Sequence, residues 1–210
     1  MRKLMAVGLL IIMALLVACG GDSGSGATGE AKVVDDFMIS LVEKGDLKSA
    51  YDKLANEDRM MMGMIPGFYD VITGKADESV PEEVRLMQVM LKEIVPIPKN
   101  VFDYKLGDPQ GEGDTLKVPI DFIYPRENME EVANKYIDKE TQDKLENIDQ
   151  LDMTFEEKKA MVKDALGKVM KGIRSETFEM DTTSEVITLV KQDDGWRISI
   201  MGAMQNFMQM

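Results

Sequence analysis

The hydrophobic period of the chain changes near residue 100, and this change limits the folds that the chain can adopt. Before that point, apolar residues recur at intervals of three and four, which predicts amphipathic helices. From Val101 onwards, apolar and polar residues alternate in short runs, which predicts strands with one buried face. Helical spacing returns over about residues 127–173, and strand-like runs follow it. This order predicts an α+β fold in which N-terminal helices lie on an antiparallel sheet.

The helices before the sheet have recognisable starts and stops. An apolar stripe over residues 33–42 predicts a first helix that stops at Gly45. Asp46 is a suitable N-cap for a second helix over residues 47–55. Two further helical segments are expected, a turn at residues 66–72 and a longer helix that opens at Ser79-Val80-Pro81 and stops near Val95.

Five runs have the pattern of strands, at residues 101–106, 116–124, 177–180, 185–192 and 196–201. Pro119 interrupts the second run, and because proline has no backbone donor we expect that strand to lie at an edge or to carry a bulge. The sequence Asp193-Asp194-Gly195 predicts a hairpin turn between the last two runs.

The helical segment at about 127–173 interrupts the strand pattern. One apolar stripe, from Met129 to Ile137, predicts its first helix. Thr154-Phe155-Glu156-Glu157 has the pattern of a capping box and predicts the start of a second helix that ends before Gly172. We therefore expect a helical hairpin inserted between sheet strands, either against the sheet or as a lid beside it.

The first residues have the organisation of a secretory signal. Arg2 and Lys3 precede an apolar stretch, residues 4–18, that is short for a membrane span. Leu16-Val17-Ala18-Cys19 resembles the lipobox of bacterial lipoproteins, in which the cysteine sulfur is acylated and becomes the new N-terminus. The resemblance implies a signal peptide at residues 1–18 and lipidation of Cys19. The alternative is that Cys19 is an ordinary thiol, although a lone exported cysteine has no partner for an internal disulfide.

A lipidated Cys19 implies an exported protein held on a bacterial membrane and facing the periplasm. Residues 19–29 are rich in glycine and serine and are expected to form a flexible linker. Gly20, rather than aspartate, follows the cysteine, and similarity to enterobacterial sorting favours the outer membrane. Residues 30–210 are then expected to form a single domain.

Composition argues against several classes of function. The formal net charge is −13, which disfavours binding to nucleic acid. The chain has no histidine and one cysteine, so the commonest general base and the usual zinc ligands are missing. No phosphate-binding loop or serine elbow is present in the sequence. We therefore expect no enzymatic activity, no cofactor and no metal site.

Two stretches resemble the nuclear transport factor two-like superfamily, in particular its bacterial lipoprotein domains. They are VVDDFMISLVEKGDLKSAYDKLANED, residues 33–58, and EVITLVKQDDGWRISI, residues 185–200. The resemblance implies a cone-shaped roll, in which helices lie in a strongly bent antiparallel sheet around a pocket. The helical segment 127–173 is unusual for such domains.

The same resemblance leaves an enzyme as an alternative. Isomerase-like members of the superfamily use an aspartate base with a tyrosine or acid oxyanion hole. A tyrosine of this chain beside an aspartate would imitate that pair, and the candidates are Tyr51, Tyr69, Tyr104, Tyr124 and Tyr136.

The chain has 19 methionines, and three roles are open for them. Thioethers fill irregular cores, line adaptable apolar grooves or bind Cu(I). The densest run is RMMMGM, residues 59–64. Residues 201–210 have the sequence MGAMQNFMQM. If this segment is helical, one face carries Met201, Met204, Phe207 and Met208, and that face would close a pocket or meet a partner. The alternative is a frayed segment.

The leading hypothesis is a membrane-anchored lipoprotein of the cell envelope, whose non-enzymatic pocket domain binds a small apolar ligand or a protein segment. The residues expected to line the ligand site are Met87, Met90, Phe122, Tyr124 and Trp196. The alternatives are a small enzyme of the isomerase- or dehydratase-like roll type and a purely structural interaction lipoprotein.

Overall fold

The computed structural model describes residues 27, 29–64, 67–75 and 78–200. The predicted signal peptide at 1–18, the lipidation site Cys19 and the segment 201–210 lie outside the described residues, as does most of the predicted linker. The described chain has an α+β fold, which confirms the predicted class.

Four strands form one antiparallel sheet in the order β1-β2-β3-β4. Their bounds are Asp103–Leu106 for β1, Thr115–Pro125 for β2, Met180–Gln192 for β3 and Gly195–Ser199 for β4. The third and fourth predicted runs form the single strand β3. The hairpin turn between β3 and β4 is confirmed, and Gly195 has the positive φ of 119° that such a turn favours.

Pro119 lies in β2, which is an inner strand, so the prediction of an edge strand is wrong. Its carbonyl accepts a hydrogen bond from the Gly107 N–H (2.8 Å) on the β1 side. The N–H and C=O of one residue point to the same side of an antiparallel strand. The missing donor of Pro119 therefore faces Gly107, the residue after the end of β1 at Leu106, so the inner strand gives up only the reciprocal bond at the end of this ladder.

Eight α-helices occur in the described residues. They are α1 (Ala31–Met38), α2 (Leu47–Tyr51), α3 (Asn56–Gly63), α4 (Phe68–Thr73), α5 (Glu82–Ile94), α6 (Met129–Asn134), α7 (Lys139–Glu146) and α8 (Phe155–Ser175). A π-helical segment, Ile39–Glu43, continues α1 up to Gly45, which has a φ of 62°. The Asp46 side chain caps α2 by accepting from the Ser49 N–H, as predicted.

The second helix is shorter than predicted because the chain after Tyr51 covers the outer edge of the sheet. The Ile198 N–H donates to the Lys53 carbonyl (3.0 Å), and the Ala55 N–H donates to the Ile198 carbonyl (2.8 Å). Residues 53–55 therefore satisfy backbone groups of the edge strand β4, which would otherwise be open to pairing with another chain.

The main core lies between the first helices and one face of the sheet. The strand residues of this face include Tyr104, Val118, Ile120, Phe122, Ile187, Leu189 and Ile198, and the helices contribute Val34, Phe37, Met38, Leu41 and Ala50. This alternation along β2 is the pattern that the sequence shows.

The predicted helical hairpin at 127–173 is wrong in detail: the segment forms three α-helices and a 3₁₀ turn, Ile148–Gln150. The first predicted helix breaks because the Asp138 side chain caps α7 by accepting from the Thr141 N–H. The capping box at Thr154 is confirmed, and α8 continues through Gly172 to Ser175. Helix α8 packs against α5 around a second core, and this core contains Leu86, Val89, Leu145, Ile148, Val162 and Ala165.

Candidate functional site

The structure does not place the five residues predicted to bind a ligand in one cluster. Phe122 is buried in the main core, and Trp196 packs against the same cluster. Tyr124 is exposed, and its hydroxyl shares a hydrogen bond with the Thr183 hydroxyl (2.8 Å).

The two predicted methionines lie on helix α5, which belongs to the second core. Met90 packs against that core, and Met87 is half-buried on the same helix. The five residues are therefore divided between the sheet face and α5.

One tyrosine–aspartate pair exists in the main core, between Tyr104 on β1 and Asp35 on α1. The Tyr104 hydroxyl donates to the Asp35 Oδ1 (2.9 Å), and the exposed fractions of the two residues are 1% and 8%. Burial, followed by the nearby Asp35 carboxylate, raises the pKa of the Tyr104 hydroxyl well above its usual value.

The surroundings of this pair favour a structural role. Val34, Phe37 and Met38 belong to the same cluster as Tyr104, so the hydroxyl lies among packed side chains. A substrate that used Asp35 as a base would first have to displace this packing. The pair satisfies two buried polar groups and ties α1 to the sheet.

The described surface carries several exposed apolar side chains on α3, at the C-cap of α3 and on α4. Six large hydrophobic side chains are exposed among the described residues, and four of them are Met60, Met61, Met64 and Tyr69. We call these four residues the methionine surface. The exposed fractions of Met60 and Met64 are 69% and 74%. Exposed apolar groups clustered in this way mark interaction sites more often than isolated ones do.

Helical spacing explains why these methionines lie together. Met60 and Met64 are four residues apart, and Met61 is three residues before Met64, so the three neighbour one another along one side of the helix. Met62 points to the other side and packs against the main core. The exposed methionines therefore lie on a helix whose opposite side packs against the main core.

Two hydrogen bonds behind this surface hold it in position. Asp58 on α3 has an exposed fraction of 0%, and its Oδ2 accepts a hydrogen bond from the Ile200 N–H (2.9 Å). The Tyr51 hydroxyl donates to the Arg59 carbonyl (2.9 Å). The Tyr51 ring also meets the Tyr69 ring edge-on at 6.1 Å, and so joins α3 to α4.

The sequence indicated the methionine run but not its exposure. The sequence favours core filling for the methionines over groove lining and copper binding, and the exposed positions of Met60, Met61 and Met64 do not follow from it. One feature of the sequence points to exposure of the methionines. Glu57, Asp58 and Arg59 precede the run, so the helix has no continuous apolar stripe that would bury all its methionines.

The described residues include no group of three or more histidine, cysteine, aspartate or glutamate side chains placed to hold a metal ion. Within the same part of the chain, every helix is too short or too polar to cross a bilayer. Comparison with protein-family models, with curated proteins and with solved structures found no match in any of the three.

Proposed function

We propose that this protein is a lipid-anchored protein of the bacterial cell envelope, and that its domain binds an apolar segment of another envelope protein without catalysing a reaction. The methionine surface is the observation that carries this proposal. It is apolar, it lies on the outside of the domain, and the opposite side of its helix packs against the main core through Met62.

The tether follows from the lipobox-like sequence at Cys19 and from the linker that follows it. Two or three acyl chains on one residue make release from a bilayer very slow. The acidic domain is itself repelled by anionic headgroups, so the covalent lipid would provide the attachment. The partner is therefore expected on or near the same membrane.

The chemistry of the surface favours a particular kind of partner. Methionine side chains are unbranched and flexible, and they adapt to apolar segments of different shape. The surrounding domain is acidic, with a net charge of −13 for the chain. An apolar segment flanked by lysine or arginine would gain favourable long-range attraction as it approaches.

A cone-shaped roll of the nuclear transport factor two-like type remains our proposal for the finer architecture. It is supported by the order of the elements, with helices first and an antiparallel sheet closed by a hairpin. Burial of Asp35 and Tyr104 supports a non-enzymatic role. A small apolar ligand held inside the roll is the second candidate, and Phe122 and Trp196 on one sheet face are the residues that favour it.

The binding proposal can be tested by photo-crosslinking in cells that produce the full chain. A photoreactive residue at Met64 should give one dominant adduct with an envelope protein, whereas the same residue at Val186, an exposed position on β3, should not. Adding Met60→Lys should reduce the adduct roughly tenfold or more, because a charge would enter the contact. Equal adducts at both positions would contradict the proposal.

The tether has its own test. Cys19→Ser should move the chain out of the membrane fraction, because a serine hydroxyl is not acylated at this position. Complete recovery of the variant with membranes would contradict the lipid anchor. Native mass spectrometry of gently extracted protein tests the second candidate, since a retained apolar small molecule would favour a ligand carrier over a protein-binding domain.

A further inference from the structure

Three exposed thioethers lie at the C-terminal end of α3. The exposed fractions of Met60, Met61 and Met64 are 69%, 41% and 74%. Met60 and Met61 lie in the second half of the helix, and Met64 is its C-cap and keeps right-handed helical angles (φ −74°, ψ −16°). The helical directions of the three side chains can therefore be compared directly.

Their spacing points the three side chains into one sector of the helix surface. An α-helix turns by about 100° per residue, so Met60 and Met61 differ in direction by about 100° and Met64 lies between them. Met64 follows them by four and three residues, which makes it a neighbour of both. Met62, about 200° from Met60, points away and packs against the main core. The unbranched methionine side chain has three rotatable bonds, which lets the three sulfur atoms approach one point.

The charge around these sulfur atoms favours a cation. The C-terminal end of an α-helix carries a partial negative charge from its unpaired carbonyl groups. The chain has a formal net charge of −13. Arg59, the cationic residue of this helix, donates to the Asn56 Oδ1 in the first turn, so its guanidinium lies toward the opposite end of α3.

Neutral thioethers select a particular class of ion. Sulfur ligands are soft and favour Cu(I), whereas carboxylate and carbonyl oxygens suit Mg²⁺, Ca²⁺ and Mn²⁺. The missing histidines and the single cysteine remove the usual zinc ligands, but they do not bear on thioethers. The three methionines therefore form a soft, uncharged ligand set that suits a monovalent ion.

We propose that Met60, Met61 and Met64 bind one Cu(I) ion through their three sulfur atoms. Binding is a coordination step only, and no electron is transferred. This inference goes beyond the proposed function, which needs the apolar character of the methionine surface and not its sulfur.

Nuclear magnetic resonance of the methionine methyl groups tests this in the purified full chain. The chain carries Cys19→Ser so that no thiol competes for the ion, and Cu(I) is added under anaerobic, reducing conditions. The methyl signals of Met60, Met61 and Met64 should shift together and saturate at one ion per chain. Zn²⁺ should leave these signals unchanged, since it prefers nitrogen and thiolate ligands. Equal shifts with Zn²⁺ would overturn the inference.

Substitution by leucine removes the sulfur and keeps an apolar side chain of similar volume. Replacing all three methionines by leucine should weaken Cu(I) binding by roughly tenfold or more, as measured by competition with a Cu(I) chelator. Met87→Leu with Met90→Leu on α5 is the matched control and should leave the affinity unchanged. Wild-type affinity in the triple variant would overturn the inference.

A methionine moved along the helix tests the geometry. Met64→Leu with Gly63→Met keeps the number of thioethers but places the third one about 160° from Met61. Apart from its chain neighbours and the nearby backbone of α3, no atom lies within 4 Å of a methyl group at Gly63, so a side chain fits there. This variant should bind Cu(I) roughly fivefold or more weakly than wild type. If it binds as tightly, three convergent sulfur atoms are not required and the inference fails.

The two proposals fail separately. In the photo-crosslinking test, Met60→Leu with Met61→Leu keeps the surface apolar and should retain the adduct at position 64, whereas Met60→Lys reduces it. Loss of every adduct in cells would leave Cu(I) binding by the purified chain intact. Conversely, a captured partner without Cu(I) binding would support the proposed function and reject the metal site.

Discussion

A methyl group added at Gly172 on α8 would lie 2.2 Å from Cδ1 of Tyr136, so the tyrosine ring packs directly on the backbone of that helix. The Tyr136 hydroxyl also donates to Glu176, one turn beyond Gly172. Glycine is required here by the close approach of the ring and not by a turn.

We expect Gly172→Ala to destabilise the fold by about 1 to 3 kcal/mol, although alanine is the better helix former. The ring of Tyr136 would have to move to admit the methyl group. The free energy of unfolding from urea titration measures this change.

Gly167 in the same helix is the matched control. Apart from its two chain neighbours and the nearby backbone of α8, no atom lies within 4 Å of a methyl group placed there. We expect Gly167→Ala to stabilise the protein by roughly 0.5 to 1 kcal/mol through helix propensity alone. Equal effects of the two substitutions would show that the contact with Tyr136 does not constrain Gly172.

This contact also explains why the helix stop predicted before Gly172 is wrong. Gly172 follows an apolar stripe, which predicts a stop there, yet α8 continues to Ser175. A glycine that ends a helix and a glycine that makes room for a neighbouring side chain cannot be distinguished in a single sequence. Only the ring of Tyr136, which lies in the bend between α6 and α7, distinguishes them.

The features that the sequence predicted well depend on neighbouring residues. The Thr154 capping box, the Asp46 cap and the Asp193-Asp194-Gly195 turn each act within a few residues, and all three are confirmed. Helix α3 was missed because its buried Asp58 and exposed Met60 contradict an amphipathic pattern.

The candidate site was less predictable for the same reason. Asp35 and Tyr104 are 69 residues apart, and Asp58 meets Ile200 across 142 residues. Such pairs arise from the packing of helices on the sheet. The identity of the exposed methionines likewise depends on which side of α3 faces the core.

The buried pair in the main core gives a second prediction. Tyr104→Phe keeps the ring and removes the hydroxyl that donates to Asp35. A buried carboxylate that loses a donor is costly, so we expect a loss of about 1 to 3 kcal/mol in the free energy of unfolding. Tyr124→Phe removes an exposed hydroxyl and should change stability by less than about 0.5 kcal/mol. A neutral Tyr104→Phe would mean that water replaces the lost donor.

The raised pKa of Tyr104 predicts how stability varies at alkaline pH. Burial and Asp35 raise the pKa in the folded state above the ordinary value of 10.0. The stabilisation by the protonated hydroxyl is therefore complete below about pH 10 and is lost as the pH rises above that value. Between about pH 10 and pH 12, wild type should lose stability more steeply than Tyr104→Phe, by up to about 1.4 kcal/mol per pH unit. Parallel curves for the two proteins would contradict this assignment.

The ion pair between α5 and α8 gives the last prediction. Lys158 is buried on α8, and its Nζ donates to Glu82 Oε1 (2.8 Å) at the start of α5. Glu82→Gln would leave a buried cation without its counter-charge, and because Glu82 is partly exposed we expect a loss of about 1 to 2 kcal/mol. The double variant Glu82→Gln with Lys158→Met should recover most of that loss, since it removes the unpaired charge and retains an apolar side chain.

Lys144→Met, which breaks an exposed pair with Glu140, is the control and should lower the free energy of unfolding by less than about 0.5 kcal/mol. If the double variant is less stable than Glu82→Gln alone, the stem of Lys158 rather than its charge joins the two helices.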